Sequence, residues 1–145
     1  MFILHPQLAK NTFYLGNFVL SRILLVNNAN FPWIILVPER EFITDLTDIS
    51  PSGRTLLMDE SVIVMEVLKK LYISDRINMA FHSNDIAQFH LHIVARHRHD
   101  ISWPDTVWGH DKPAVAYSIP ARQAMTDMLT EAFDTYPNFS LMVDN

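Results

Sequence analysis

The chain has 145 residues, no cysteine, 49% hydrophobic and 19% charged residues, and a formal net charge of −5. That describes one globular domain with a solid core and excludes disulfides and thiolate chemistry. The acidic balance argues against nucleic-acid polymers, which need a broad basic surface, yet it is compatible with a small phosphorylated ligand held at a local site. Met1 to Pro6 has no basic start and no long apolar run, so a signal peptide is not expected. No stretch reaches the ~18 apolar residues of a spanning helix. The expectation is a soluble cytoplasmic protein with no membrane partner.

In chain order, Pro6 to Asn11 predicts a short helix with proline in its first turn. Residues 18–26 are rich in branched and apolar side chains and predict one or two strand segments, ended by the turn signal Asn27-Asn28-Ala29-Asn30. Trp33 to Val37, bounded by Pro32 and Pro38, predicts a strand whose continuous apolar character requires cover on both faces. Asp48-Ile49-Ser50-Pro51 starts a long helix to about Tyr72, with Leu57, Val64, Leu68 and Leu71 as its core stripe. Ile77 to Phe81 predicts a third strand, and Ser83-Asn84-Asp85 a turn. Loops around Ser102-Trp103-Pro104 and residues 109–113 then lead to a final helix from about Pro120 to Phe133. Strands on both sides of one long helix, with short links, indicate an α+β domain built on an antiparallel sheet.

The most informative segment is Gln88-Phe89-His90-Leu91-His92-Ile93-Val94. Its period of two predicts a strand with Phe89, Leu91 and Ile93 on one face and Gln88, His90 and His92 on the other. Same-face neighbours lie about 6.5–7 Å apart along a strand, so both imidazoles can reach one small anionic group. Three readings compete. The histidines are hydrogen-bonded at a sheet surface or subunit contact; or they ligate a metal with His82, His97, His99 or His110, against the repulsion of Arg96 and Arg98; or one attacks phosphorus while the other donates a proton.

This segment resembles the motif of the histidine triad (HIT) family, His-φ-His-φ-His-φ-φ, with glutamine in the first histidine place. Leu24-Leu25-Val26-Asn27, Pro32, the strand Ile34 to Pro38, the long helix and Asn84 fall in the family's order, and the resemblance covers about residues 13–98. The tail, with Ser102-Trp103-Pro104 and Val107-Trp108-Gly109, resembles a bacterial branch that also begins the motif with glutamine.

The resemblance implies a single HIT-like domain over residues 1–145, with a five-stranded antiparallel sheet, one long helix and a C-terminal helix, made continuous across a homodimer. It implies a nucleotide hydrolase or transferase acting at the α-phosphorus of nucleoside phosphoramidates or dinucleoside polyphosphates, with no metal and no cofactor. His90 matches the nucleophile that forms a nucleotidyl-histidine intermediate, and His92 the last triad histidine, which contacts the phosphate and assists the leaving group. Gln88 stands in the first triad place, where it can hydrogen-bond a phosphate oxygen but cannot shuttle a proton. Asn27 matches a ribose-holding residue and Asn84 an amide near the phosphates; Asn78 is expected to face the same pocket. Asp85 occupies a place where the family often has a hydroxyl, and a carboxylate there repels phosphate unless protonated, turned away or paired, for example with Arg96. Arg96 and Arg98 are read as solvated strand-end charge, with phosphate contact as the alternative, and Trp103 and Trp108 as packing residues, with Trp103 a candidate for reaching a partner's site. The alternative function is a nucleotide-binding or sensing protein with little catalysis.

Overall fold

The protein is described by a computed structural model over residues 1–109 and 112–142. Helix α1 (Pro6–Asn11) leads into β1 (Thr12–Asn17), β2 (Ser21–Val26) and β3 (Trp33–Pro38). A 3-10 turn at Leu46–Asp48 precedes α2 (Pro51–Tyr72), followed by β4 (Arg76–Phe81), β5 (Leu91–Arg96), α3 (Ile119–Phe133) and β6 (Ser140–Leu141). The strands form one antiparallel sheet in the order β4-β5-β3-β2-β1-β6. The α+β expectation holds, with a sixth, two-residue strand added beyond β1. That strand rides closely over Gly16, where a Cβ would collide with the Ser140 carbonyl oxygen, so a side chain there would displace it.

Helix α2 starts where Ser50 accepts a hydrogen bond from the Gly53 amide and Pro51 fills the first turn, so the serine satisfies one free N–H and the proline has none to satisfy. It turns Leu57, Val64, Val67 and Leu68 onto the sheet, where they join Ile34, Leu36, Leu91 and Ile93, with Leu129 and Phe133 of α3 in the same core. The opposite sheet face carries Leu24, Ile35 and Val37 and is covered by Leu8 of α1 with Phe2 and Leu4. The apolar β3 is thus covered on both faces, as its sequence requires.

Two strands differ from expectation. Residues 12–17 form β1, whereas 18–20, expected as strand, form the turn into β2. Phe18 and Leu20 are apolar because this turn is buried, and the buried Glu60 carboxylate of α2 accepts the Leu20 amide at 2.9 Å. The histidine strand pairs from Leu91 to Arg96 rather than from Gln88. Its partner β3 ends at Pro38, which has no N–H to offer, and the Phe89 amide turns instead to the carbonyl of Ile43.

Candidate active site

His90 and His92 stand at the start of β5 with their rings 4.9 Å apart, centroid to centroid, and inclined at 70°. Phe89, Leu91 and Ile93 point into the opposite core, so the predicted alternation holds for these residues. Both imidazoles are buried, 4% and 7% exposed, and line a cavity of about 210 Å³. One wall is α1, through Gln7, Leu8 and Asn11; the floor is Val26, Trp33 and Ile35; the rim carries His82, Asp85 and Ile86.

Each ring is held in a defined tautomer. His90 Nδ1 lies 2.8 Å from the Gln88 carbonyl oxygen; a carbonyl only accepts, so Nδ1 carries the proton and Nε2 keeps its lone pair. The Trp33 indole donates to His92 Nδ1 at 3.0 Å. An indole N–H only donates, so the proton of His92 is on Nε2. Among the described residues that buried Nε2 has no hydrogen-bond partner, an arrangement that costs about 1–3 kcal/mol and that an acceptor brought to it would relieve. Burial, with the neighbouring His90 and His82, pushes His92 down to about 3. Burial also lowers His90; the bond to the Gln88 carbonyl opposes the shift and charge on His82 and His5 adds to it. At neutral pH the pair is uncharged: one imidazole with a free lone pair, the other with an unanswered N–H.

Two features were not evident from sequence. His82, considered there only as a metal ligand, stacks on His92 with ring centroids 5.2 Å apart and planes at 16°, and lies 6.2 Å from His90. Trp33 shares a sheet face with Ile35, which is paired with His92; that diagonal cross-strand relation is the only signal that would have found it. Trp108 packs edge-on against Trp33 and His92 of its own chain, at 6.3 and 5.8 Å.

The other expected site residues lie elsewhere. Gln88 does not line the histidine cavity. Its Oε1 accepts the His5 amide and its Nε2 donates to the Ile3 carbonyl, both at 2.9 Å, which ties the N-terminal segment to the sheet beside a second hollow of about 460 Å³. Asn78 accepts from Arg96 Nη1 at 2.8 Å, so it serves the far end of β5 rather than the pocket. Asn27 accepts the Tyr117 amide at 2.9 Å and holds the segment before α3. Asn84 is exposed on the turn after β4 and is not among the cavity residues.

Arg96, expected as solvated charge, is 1% exposed and bonded through all three nitrogens to Asp100 and Asn78. Phe31 and Trp103 lie 5.7 and 5.8 Å from its guanidinium carbon, so Trp103 serves its own chain here. His97 bonds the Tyr72 carbonyl at 2.8 Å and tilts against His99, away from the other imidazoles; His110 lies outside the described residues. Among the described residues no three potential ligands stand in metal-binding geometry.

The HIT domain model matches residues 7–99. The chain belongs to the HIT family. A histidine triad protein from Bradyrhizobium japonicum is 32% identical, with a TM-score of 0.87 over 90% of this chain and 97% of its own. One from Marinobacter aquaeolei is also 32% identical, with a TM-score of 0.89 over 93% and 98%. A zinc-bound histidine triad family protein from Mycobacterium smegmatis, 17% identical with a TM-score of 0.58 over 82% and 81%, shares the fold. No curated protein matches the chain. Members of the HIT family commonly bind or hydrolyse nucleotides. No helix among the described residues is long and apolar enough to cross a membrane.

Proposed function

We propose that this HIT protein hydrolyses a nucleoside phosphoramidate or dinucleoside polyphosphate through a nucleotidyl-histidine intermediate on His90. The observation that carries this reading is the bond from His90 Nδ1 to the Gln88 carbonyl, which leaves an Nε2 lone pair on an imidazole kept neutral by burial. Such a group attacks phosphorus without first losing a proton. The partnerless Nε2–H of His92 then donates to a phosphoryl oxygen as charge builds on it, the role of a preorganised oxyanion donor. Because Trp33 occupies His92 Nδ1, His92 contributes a fixed hydrogen bond rather than a transferable proton.

Leu8, Val26, Ile35 and Ile86 give the cavity an apolar wall, and Gln7 and Asn11 a polar edge, which suits a nucleoside with its phosphate at the histidine end. The same reading includes a cytoplasmic homodimer. β4 is an outer strand of the sheet, and Met79 and Phe81 on it, 40% and 47% exposed, offer an apolar edge to a second copy.

One observation favours the alternative of nucleotide binding with little catalysis: the Gln88 amide, expected at the phosphate, is committed to the N-terminal backbone. A panel of adenosine and guanosine phosphoramidates and dinucleoside polyphosphates decides. Hydrolysis lost in His90→Ala with nucleotide binding retained supports the enzyme; binding with no product in the native protein supports the alternative.

A further inference from the structure

A neutral nucleophile and a fixed neutral donor leave one chemical requirement unmet, the proton for the leaving group. When His90 Nε2 bonds to phosphorus, the electron pair of the breaking P–X bond passes to X, and an amine or alkoxide X departs only if protonated. Neither of the two buried imidazoles supplies that proton: His90 Nδ1–H is held by the Gln88 carbonyl, and His92 is a single-proton ring pinned by Trp33. The Gln88 amide does not titrate and faces the N-terminal segment. Among the described residues, the remaining imidazole on the cavity is His82, which reaches it from the end of β4 rather than from the motif.

We propose that His82 is the general acid of this site, giving a proton to the leaving group as His90 displaces it. His82 stacks on His92 with ring centroids 5.2 Å apart and lies 6.2 Å from His90. That places it on the rim of the cavity, whose buried end holds the attacking and oxygen-binding groups. It is exposed, so after donating it is reprotonated directly by water. In the second step water attacks phosphorus, the P–N bond breaks, and its electron pair returns to His90 Nε2. The water's proton passes to solvent.

The inference rests on His90 as nucleophile, and its test separates the two. Single-turnover release is followed for two adenosine 5′-phosphate derivatives, an N-alkyl phosphoramidate whose amine must be protonated and a p-nitrophenyl ester whose phenolate leaves unaided. In His82→Gln and His82→Phe, amine release is expected to slow by about 10²–10⁴-fold and nitrophenolate release by less than about tenfold. Equal losses on both substrates, or no loss on either, overturn the assignment while His90 stands. If the native protein releases neither group, or His90→Ala still releases both, the nucleophile reading falls and this inference with it.

Discussion

β5 carries a polar constellation at each end, and the two are completed in opposite ways. At its C-terminal end Arg96 is fully buried, yet every guanidinium nitrogen has a partner. Asp100 accepts from Arg96 and from the amides of His97, Ser102 and Trp103. At its N-terminal end His92 is nearly as buried, but among the described residues its Nε2–H has no partner, and it lines a cavity. A satisfied buried charge pair fixes one arrangement of chain, here the turn that starts the tail. A buried donor without an acceptor is a cost the fold carries until a ligand meets it. The same strand therefore builds structure at one end and, in the proposed function, chemistry at the other.

Substitutions at the two ends should separate along these lines. The largest effect is expected at His90: His90→Ala should lower turnover by at least about 10³-fold, a barrier increase of about 4 kcal/mol, with thermal unfolding little changed. Arg96→Ala should do the reverse. It strands the Asp100 carboxylate in a buried site and should cost about 3–5 kcal/mol of stability, measured by urea unfolding. If Arg96→Ala abolished turnover at full stability, the division between the ends would be wrong. Trp33→Phe keeps the ring but removes the indole donor, freeing His92 to change tautomer. About a tenfold loss in kcat with KM nearly unchanged is expected, about 1.4 kcal/mol. Gln88→Ala should loosen the N-terminal segment by about 1 kcal/mol and slow turnover less than any of the pocket variants.

Acid separates the ends as well. His92, about 3 in the folded protein against about 6.5 unfolded, is a group that the unfolded chain protonates first. Its contribution is complete above about pH 6.5 and is lost as pH falls from there toward 3. For Asp100, burial acts upward, but the Arg96 hydrogen bonds and the amides of His97 and Ser102 hold it at about 2. Its contribution persists down to about pH 4 and disappears only between there and pH 2. His92→Phe should flatten the stability profile between pH 6.5 and 4 and leave the steeper loss below pH 4 in place.

Helices α1, α2 and α3 were legible because each begins with a proline in its first turn and the two long ones carry apolar faces at helical spacing. β1 was not, since Thr12 to Asn17 mixes polar, aromatic and glycine residues, while the apolar Phe18 to Leu20 beside it mimics a strand although it is a buried turn. The alternation at 89–93 placed His90 and His92 together. Periodicity could not show that Gln88, one step before, is drawn away by backbone groups 83 and 85 residues earlier in the chain. Nor could it show that Arg96, which looks like strand-end charge, is buried against Asp100. The first outcome depends on partners far along the chain, and the second on the turn after β5 that brings Asp100, four residues on, back to the guanidinium.

The central claim is that His90 takes the nucleotide covalently. Rapid acid-free quenching of the protein with a nucleoside phosphoramidate, followed by peptide mass mapping, tests it directly. One nucleoside monophosphate is expected on the peptide containing His90, localised to that imidazole, labile to acid and absent from His90→Ala. Turnover that continues in His90→Ala, or an adduct carried by His92 or His82 instead, would contradict it.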